Sequence, residues 1–144
     1  MQYCLEIWGN TTKKNIDMIT KMQKRIIRNT FKIKYLDHTN NCFLENDLLK
    51  FEELIKVSNA FVGYKIKNDI YKNFDNEAKI EIRKSKRKNN VTVNYARTSI
   101  IKSHLYFTAA MHFNSLPKEI QCSINSKAFK KIVKIYYSKK YLDL

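Results

Sequence analysis

Glycine and proline are almost missing from this 144-residue chain, which has only Gly9, Gly63 and Pro117. Two glycines so far apart leave no glycine-rich loop to cradle a phosphate, which excludes the common nucleotide-binding motifs. Acidic residues are scarce too: 13 Asp and Glu stand against 28 Lys and Arg, a net charge of +15. Codon bias toward A and T can inflate lysine, as 23 lysines, 17 isoleucines and 15 asparagines suggest, but it does not account for the shortage of carboxylates. The resulting field calls for a polyanionic partner, nucleic acid or an acidic surface. Cys4, Cys42 and Cys122 are odd in number and widely spaced, which fits free thiols in a reducing compartment. No run approaches the roughly 18 apolar residues that cross a bilayer, and "MQYCLEIWGN" lacks the basic lead and apolar core of a signal peptide. An intracellular location, nuclear or cytoplasmic, is therefore expected, with no membrane partner.

What the chain does have is helical periodicity. Between Thr12 and Phe31, Ile16, Ile19, Met22, Ile26 and Ile27 recur at three- and four-residue steps, and lysine and arginine fill most of the remainder. "KIKYLDHTNN" loses that period and ends in a loop signal, after which Asn46 is placed to cap a second helix. That helix carries Leu48, Leu49, Leu54, Ile55, Phe61 and Val62 as its apolar stripe, and Gly63 is expected to break or bend it. Five of the six residues from Arg83 to Lys88 are basic, so residues 83–94 read as a basic loop, with Val91–Val93 as a short extended link. A helix over 99–112, a turn at Pro117 and a last helix complete the pattern. In that last helix Ser126 is the N-cap, and Phe129, Ile132, Val133, Tyr136 and Tyr137 face inward. The expected fold is all-α: one domain spanning 1–144, a basic bundle of about five helices with at most one short extended segment.

Catalytic chemistry is not visible. Metal-assisted phosphoryl transfer needs converging carboxylates, and Asp37 and Asp143 each stand without an adjacent partner. Glu45, Asp47, Glu52 and Glu53 fit the positive end of the second helix instead. His38 and Cys42 come nearest to a metal spacing, but a zinc site needs a second such pair. His104 and His112 read as packing or solvent-facing residues. No cofactor, metal or small-molecule ligand is expected.

Cationic side chains that neutralise phosphate without reading sequence are the better-supported chemistry. The candidate phosphate contacts are Lys24, Arg25 and Arg28 of the first long helix, then Arg83, Lys84, Lys86, Arg87 and Lys88, then Lys130, Lys131 and Lys134 of the last helix. The 83–88 block also fits a nuclear-import signal or a solvated loop. Tyr136 and Tyr137 lie among the last helix's lysines, where aromatics either stack on bases or belong to the core.

Several motifs, taken in order, resemble a known family. "YCLEIWG" at Tyr3–Gly9 is similar to the Y-x-x-x-x-W-G element that follows the catalytic palm in reverse transcriptases of jockey-type non-LTR retrotransposons. "QKRIIR" at Gln23–Arg28 resembles the family's Q-K-x-x-x-R helix, and Leu48, Leu49 and Leu54 its mid-region apolar helix. Tyr95 with Arg97 is similar to its Y-N-T-R tetrapeptide, one residue short. "FNSLPKEI" at Phe113–Ile120 looks like W-N-x-L-P-x-x-I with Phe in place of Trp, and "SKAFKKIVKIYYSKKY" like the S-x-x-x-F-K-x-x-L-K tail. The resemblance covers nearly the whole chain and implies a thumb-and-tail piece of an RNA-directed DNA polymerase. The family's F-A-D-D or Y-x-D-D carboxylates lie upstream of this region, so the piece is expected to bind template–primer backbone, Arg97 included, without catalysing. A palm domain would be a second partner. The alternative is an interaction module whose apolar faces dock on a polymerase core or on another copy.

Overall fold

The computed structural model describes residues 5–68, 83–84, 91–92, 97–123 and 125–139. In chain order the elements are α1 (Leu5–Trp8), α2 (Lys13–Thr30), α3 (Asn40–Glu45), α4 (Phe51–Lys67), β1 (Arg83–Lys84), β2 (Val91–Thr92), α5 (Ser99–Ser103), α6 (Leu105–Asn114), α7 (Lys118–Gln121) and α8 (Ser126–Lys139). The all-α expectation holds. The helices outnumber the expected five because α1, α3, α5 and α7 are single short turns. Among the described residues no helix is long and apolar enough to cross a membrane.

α4 is the axis of the structure. It packs against α1, α2, α6, α8 and β2, and it buries Phe51, Ile55, Val57, Asn59, Ala60, Val62, Gly63 and Tyr64. A helix enclosed on several sides carries apolar residues around most of its circumference rather than in one stripe. Gly63 does not end it. A Cβ at that position would lie 2.6 Å from Phe113 Cβ and 2.7 Å from the Ala109 carbonyl oxygen. The glycine therefore serves the close approach of α4 to α6. Tyr64, Phe113 and Phe129 meet there: the Tyr64 and Phe129 rings stack at 4.3 Å, and Phe113 tilts against Phe129 at 6.1 Å.

α2 follows its expected span but covers less apolar surface than its pattern suggests. Ile27 is buried, and Ile16 and Ile19 pack on the small Leu5–Phe51–Ile55 cluster. Met22 and Ile26 are exposed, together with Met18, because α2 meets α4 along a narrow seam. The helix ends where Lys32 takes a left-handed φ of 52°. The expected loop before α4 contains α3, so Asn46 ends that helix rather than starting α4, whose N-cap is Lys50. Asp47 adopts a φ of 50°, so a chain short of glycine makes this reversal with a residue whose side chain tolerates it. Leu48 is exposed, whereas Leu49 is buried.

The basic stretch expected to be a loop includes β1, which pairs antiparallel with β2 through Arg83↔Thr92 and Lys84↔Val91. Val91 is buried, and the Asn114 amide brackets it: Asn114 Oδ1 accepts from the Val91 N–H at 2.9 Å, and Nδ2 donates to its carbonyl at 2.7 Å. A side-chain amide thus takes the place of a neighbouring strand. The predicted helix over 99–112 is two helices, α5 and α6, with extended His104 between them.

Pro117 is the N-cap of α7, one position ahead of the first turn, and its carbonyl accepts from the Ile120 and Gln121 N–H groups. Buried Gln121 turns back on the same segment and donates to the carbonyls of Leu116 (2.8 Å) and Phe113 (3.3 Å). Proline geometry and a glutamine clamp together shape the "FNSLPKEI" turn. α8 begins at Ser126, but its cap is Asn125, whose Oδ1 accepts from the Lys127 N–H at 2.9 Å. Phe129, Val133 and Tyr137 face the core, whereas Ile132, expected inward, is 40% exposed.

Candidate nucleic-acid interface

The two lysine-bearing helices are joined through the 46–50 loop. On the α2 side, Gln23 Nε2 donates to the Leu49 carbonyl and Gln23 Oε1 accepts from the Phe51 N–H, both at 2.8 Å. On the α8 side, Lys134 forms an ion pair with Asp47. Exposed pairs of this kind contribute at most about 1 kcal/mol, so its value lies in register more than in stability. Burial pushes the Lys50 ammonium below its ordinary range; Glu53 and Glu52 oppose the shift, and Lys24 adds to it. Crowding of Lys24 and Lys50 marks the region as electropositive. Glu52 and Glu53 lie in the first turn of α4, as expected of residues complementing its macrodipole, whereas Glu45 ends α3 and Asp47 answers Lys134.

The sequence candidates separate on this surface. Lys24 is half-buried, and Arg25, Lys130 and Lys131 are exposed. Lys134 already holds a carboxylate, and Arg28 is turned away to another task. Its guanidinium donates to the Asp37 carbonyl at 3.2 Å and lies 5.9 Å above the Tyr35 ring, so it pins the 35–37 turn. Arg97 is exposed at the approach to α5. Arg83 and Lys84 form β1, and Lys86, Arg87 and Lys88 lie outside the described residues. Tyr137 is buried and so is not a base-stacking platform, and Tyr136 packs edge-on against it at 5.3 Å. Burial raises the Tyr137 phenol above its ordinary 10.0.

Sequence reasoning missed a groove of about 1000 Å³ between α4 and α8. Lys65, Lys127, Lys130, Lys131 and Lys134 flank it, and Leu54, Val57, Phe61 and Val62 form its floor. The available signal was the four-residue step from Phe61 to Lys65, which lays the ammonium 4.7 Å above the ring. Among the described residues no group of three His, Cys, Asp or Glu is placed to hold a metal ion. Among the described residues neither Cys42 nor Cys122 forms a disulfide. Comparison with protein-family models, curated proteins and solved structures finds no match.

A smaller pocket of about 230 Å³, lined by Asn10, Glu52, Lys56, Ser103, Thr108 and His112, holds the one strongly shifted histidine among the described residues. Burial, with Lys56 adding to it, lowers the His112 imidazole to about 4 from 6.5. The unfolded chain takes up a proton near pH 6.5 that the folded protein refuses until about 4, so this contribution to stability is complete above 6.5 and is lost as pH falls through that window. The loss is at most about 3 kcal/mol. Urea unfolding of wild type and His112→Gln between these pH values measures it: the wild-type stability should fall more steeply, and parallel curves would remove His112 as the cause.

Proposed function

We propose that this chain is a non-catalytic, nucleic-acid-binding piece of a non-LTR retrotransposon reverse transcriptase, a thumb and tail that tracks RNA or DNA phosphates without reading bases. The observation that carries this reading is the joining of α2 and α8 through the 46–50 loop, in a chain of net charge +15. The family-like motifs support it by converging on one helix. Trp8 stacks on Phe51 at 5.5 Å, Gln23 holds the chain entering α4, Phe113 fills the space left by Gly63, and Phe129 stacks on Tyr64. Trp8, Phe113 and Phe129 are thus packing residues and Gln23 a positioning one, as expected of a scaffold that presents its cations from the helices outside. No polymerase chemistry is assigned to them, and the setting would be nuclear or cytoplasmic.

Of the candidates, Lys24, Arg25, Lys130 and Lys131 are the assigned phosphate contacts, with Arg83, Lys84, Lys86, Arg87 and Lys88 as a further cationic block. Fluorescence anisotropy with a primer–template hybrid at two salt concentrations tests this. Neutralising six or so phosphates implies roughly a thousandfold loss of affinity between about 50 and 200 mM salt. Binding that ignores salt, or that survives conversion of the 83–88 block and Lys130 and Lys131 to alanine, would sink the proposal.

A further inference from the structure

We propose that the α4–α8 groove is a docking site for an acidic amphipathic helix of a protein partner, which would share Lys130 and Lys131 with the phosphate contacts assigned above and so compete with nucleic acid for them. Two features of the groove select this occupant. Its rim is cationic in a helical register: along α8 Lys127 and Lys130, and Lys131 and Lys134, are three residues apart, and Lys127 and Lys131, and Lys130 and Lys134, are four apart, over a length of about 10 Å. The two described carboxylates in its lining are already engaged, since Asp47 pairs with Lys134 and Glu6 accepts from the Ser58 hydroxyl at 3.2 Å. No described carboxylate forms an ion pair with Lys127, Lys130 or Lys131.

The floor decides between a helix and a single nucleic-acid strand. Single strands bind through aromatic faces on which successive bases stack. Among the described residues the aromatic ring lining this groove is that of Phe61, and it is already under two ammonium groups, Lys65 at 4.7 Å and Lys130 at 5.5 Å. The rest of the described apolar lining is aliphatic and includes Leu54, Val57, Val62 and Ile135. Aliphatic pockets beside a charged stripe suit helix-in-groove recognition, in which leucine-type anchors at i, i+3, i+4 and i+7 enter the floor and flanking glutamates meet the lysines. The volume of about 1000 Å³ matches roughly two turns of a helix about 10 Å across.

The probe is a fluorescein-labelled peptide of about 18 residues, long enough to be helical alone, with leucines on one face and glutamates on both flanks. Saturable anisotropy is expected, and a scrambled peptide of the same composition should bind at least about tenfold more weakly. Ile135 is 42% exposed and Lys131 is exposed, so Ile135→Ser and Lys131→Glu should retain the wild-type unfolding midpoint. Each should weaken the intact peptide by about tenfold. The proposal is overturned if the intact peptide does not saturate, if the scrambled peptide binds equally well, or if Ile135→Ser leaves binding unchanged. It is also overturned if labelled oligothymidylate binds and loses as much affinity as the peptide on Ile135→Ser, which would assign the groove to nucleic acid.

Discussion

Gly63→Val is expected to cost at least about 3 kcal/mol of unfolding free energy, enough to leave much of a marginally stable domain unfolded. A Cβ alone would sit 2.7 Å from the Ala109 carbonyl oxygen and 2.6 Å from Phe113 Cβ. Neither obstacle is the movable tip of a side chain. One is backbone, and the other is the root of a fully buried ring, so relief requires α4 and α6 to separate along a major interface of the core. Gly63→Ala provides a graded check. Alanine gains about 1 kcal/mol of helix propensity over glycine, while overpacking costs roughly 1–3 kcal/mol, so a smaller net loss is expected. Urea denaturation decides the matter: an alanine variant more stable than wild type, or a valine variant as stable as wild type, would mean that the two helices are not in such close contact.

Phe129→Ala should be comparably severe, at about 3–5 kcal/mol, because truncating a buried ring forfeits its transfer free energy and leaves a cavity that its neighbours only partly fill. The ring is fully buried and stacks on Tyr64, with Phe61 and Phe113 completing the cluster. Ile132→Ala, three residues along the same helix, should change stability by no more than about 0.5 kcal/mol, since Ile132 is 40% exposed. Equal losses from the two substitutions would place Ile132 in the core and contradict the orientation of α8. The pair is informative because the apolar pattern of the last helix treats both residues alike.

Periodicity reports which residues share a helix face but not whether another element covers that face. This is why Met22 and Ile26 looked like core residues and are exposed, while Ile27 beside them is buried. The same limit hid α3, whose six residues are too few to display a period and owe their order to Phe43, which is fully buried in the core. Asn114 stood in the sequence only as a motif position, and Gln121 carried no signal at all. A polar side chain that brackets Val91 or gathers the carbonyls of a proline turn is recognisable only once those backbone groups are in reach.

Composition and short-range pattern by themselves determined the helical class, the span of α2, the strong positive charge and, within the expected inward set of α8, the three members Phe129, Val133 and Tyr137 that are buried, though not their distinction from exposed Ile132. These depend on local propensity and on residues within a turn or two of one another. Tertiary structure alone decided which lysines act together. Lys134 meets Asp47 across 87 residues of chain, and Lys65 joins the α8 lysines around a groove whose floor belongs to α4. Burial and electrostatic neighbourhood are properties of distances in space, and for residues so far apart in the chain those distances are set only when the helices pack.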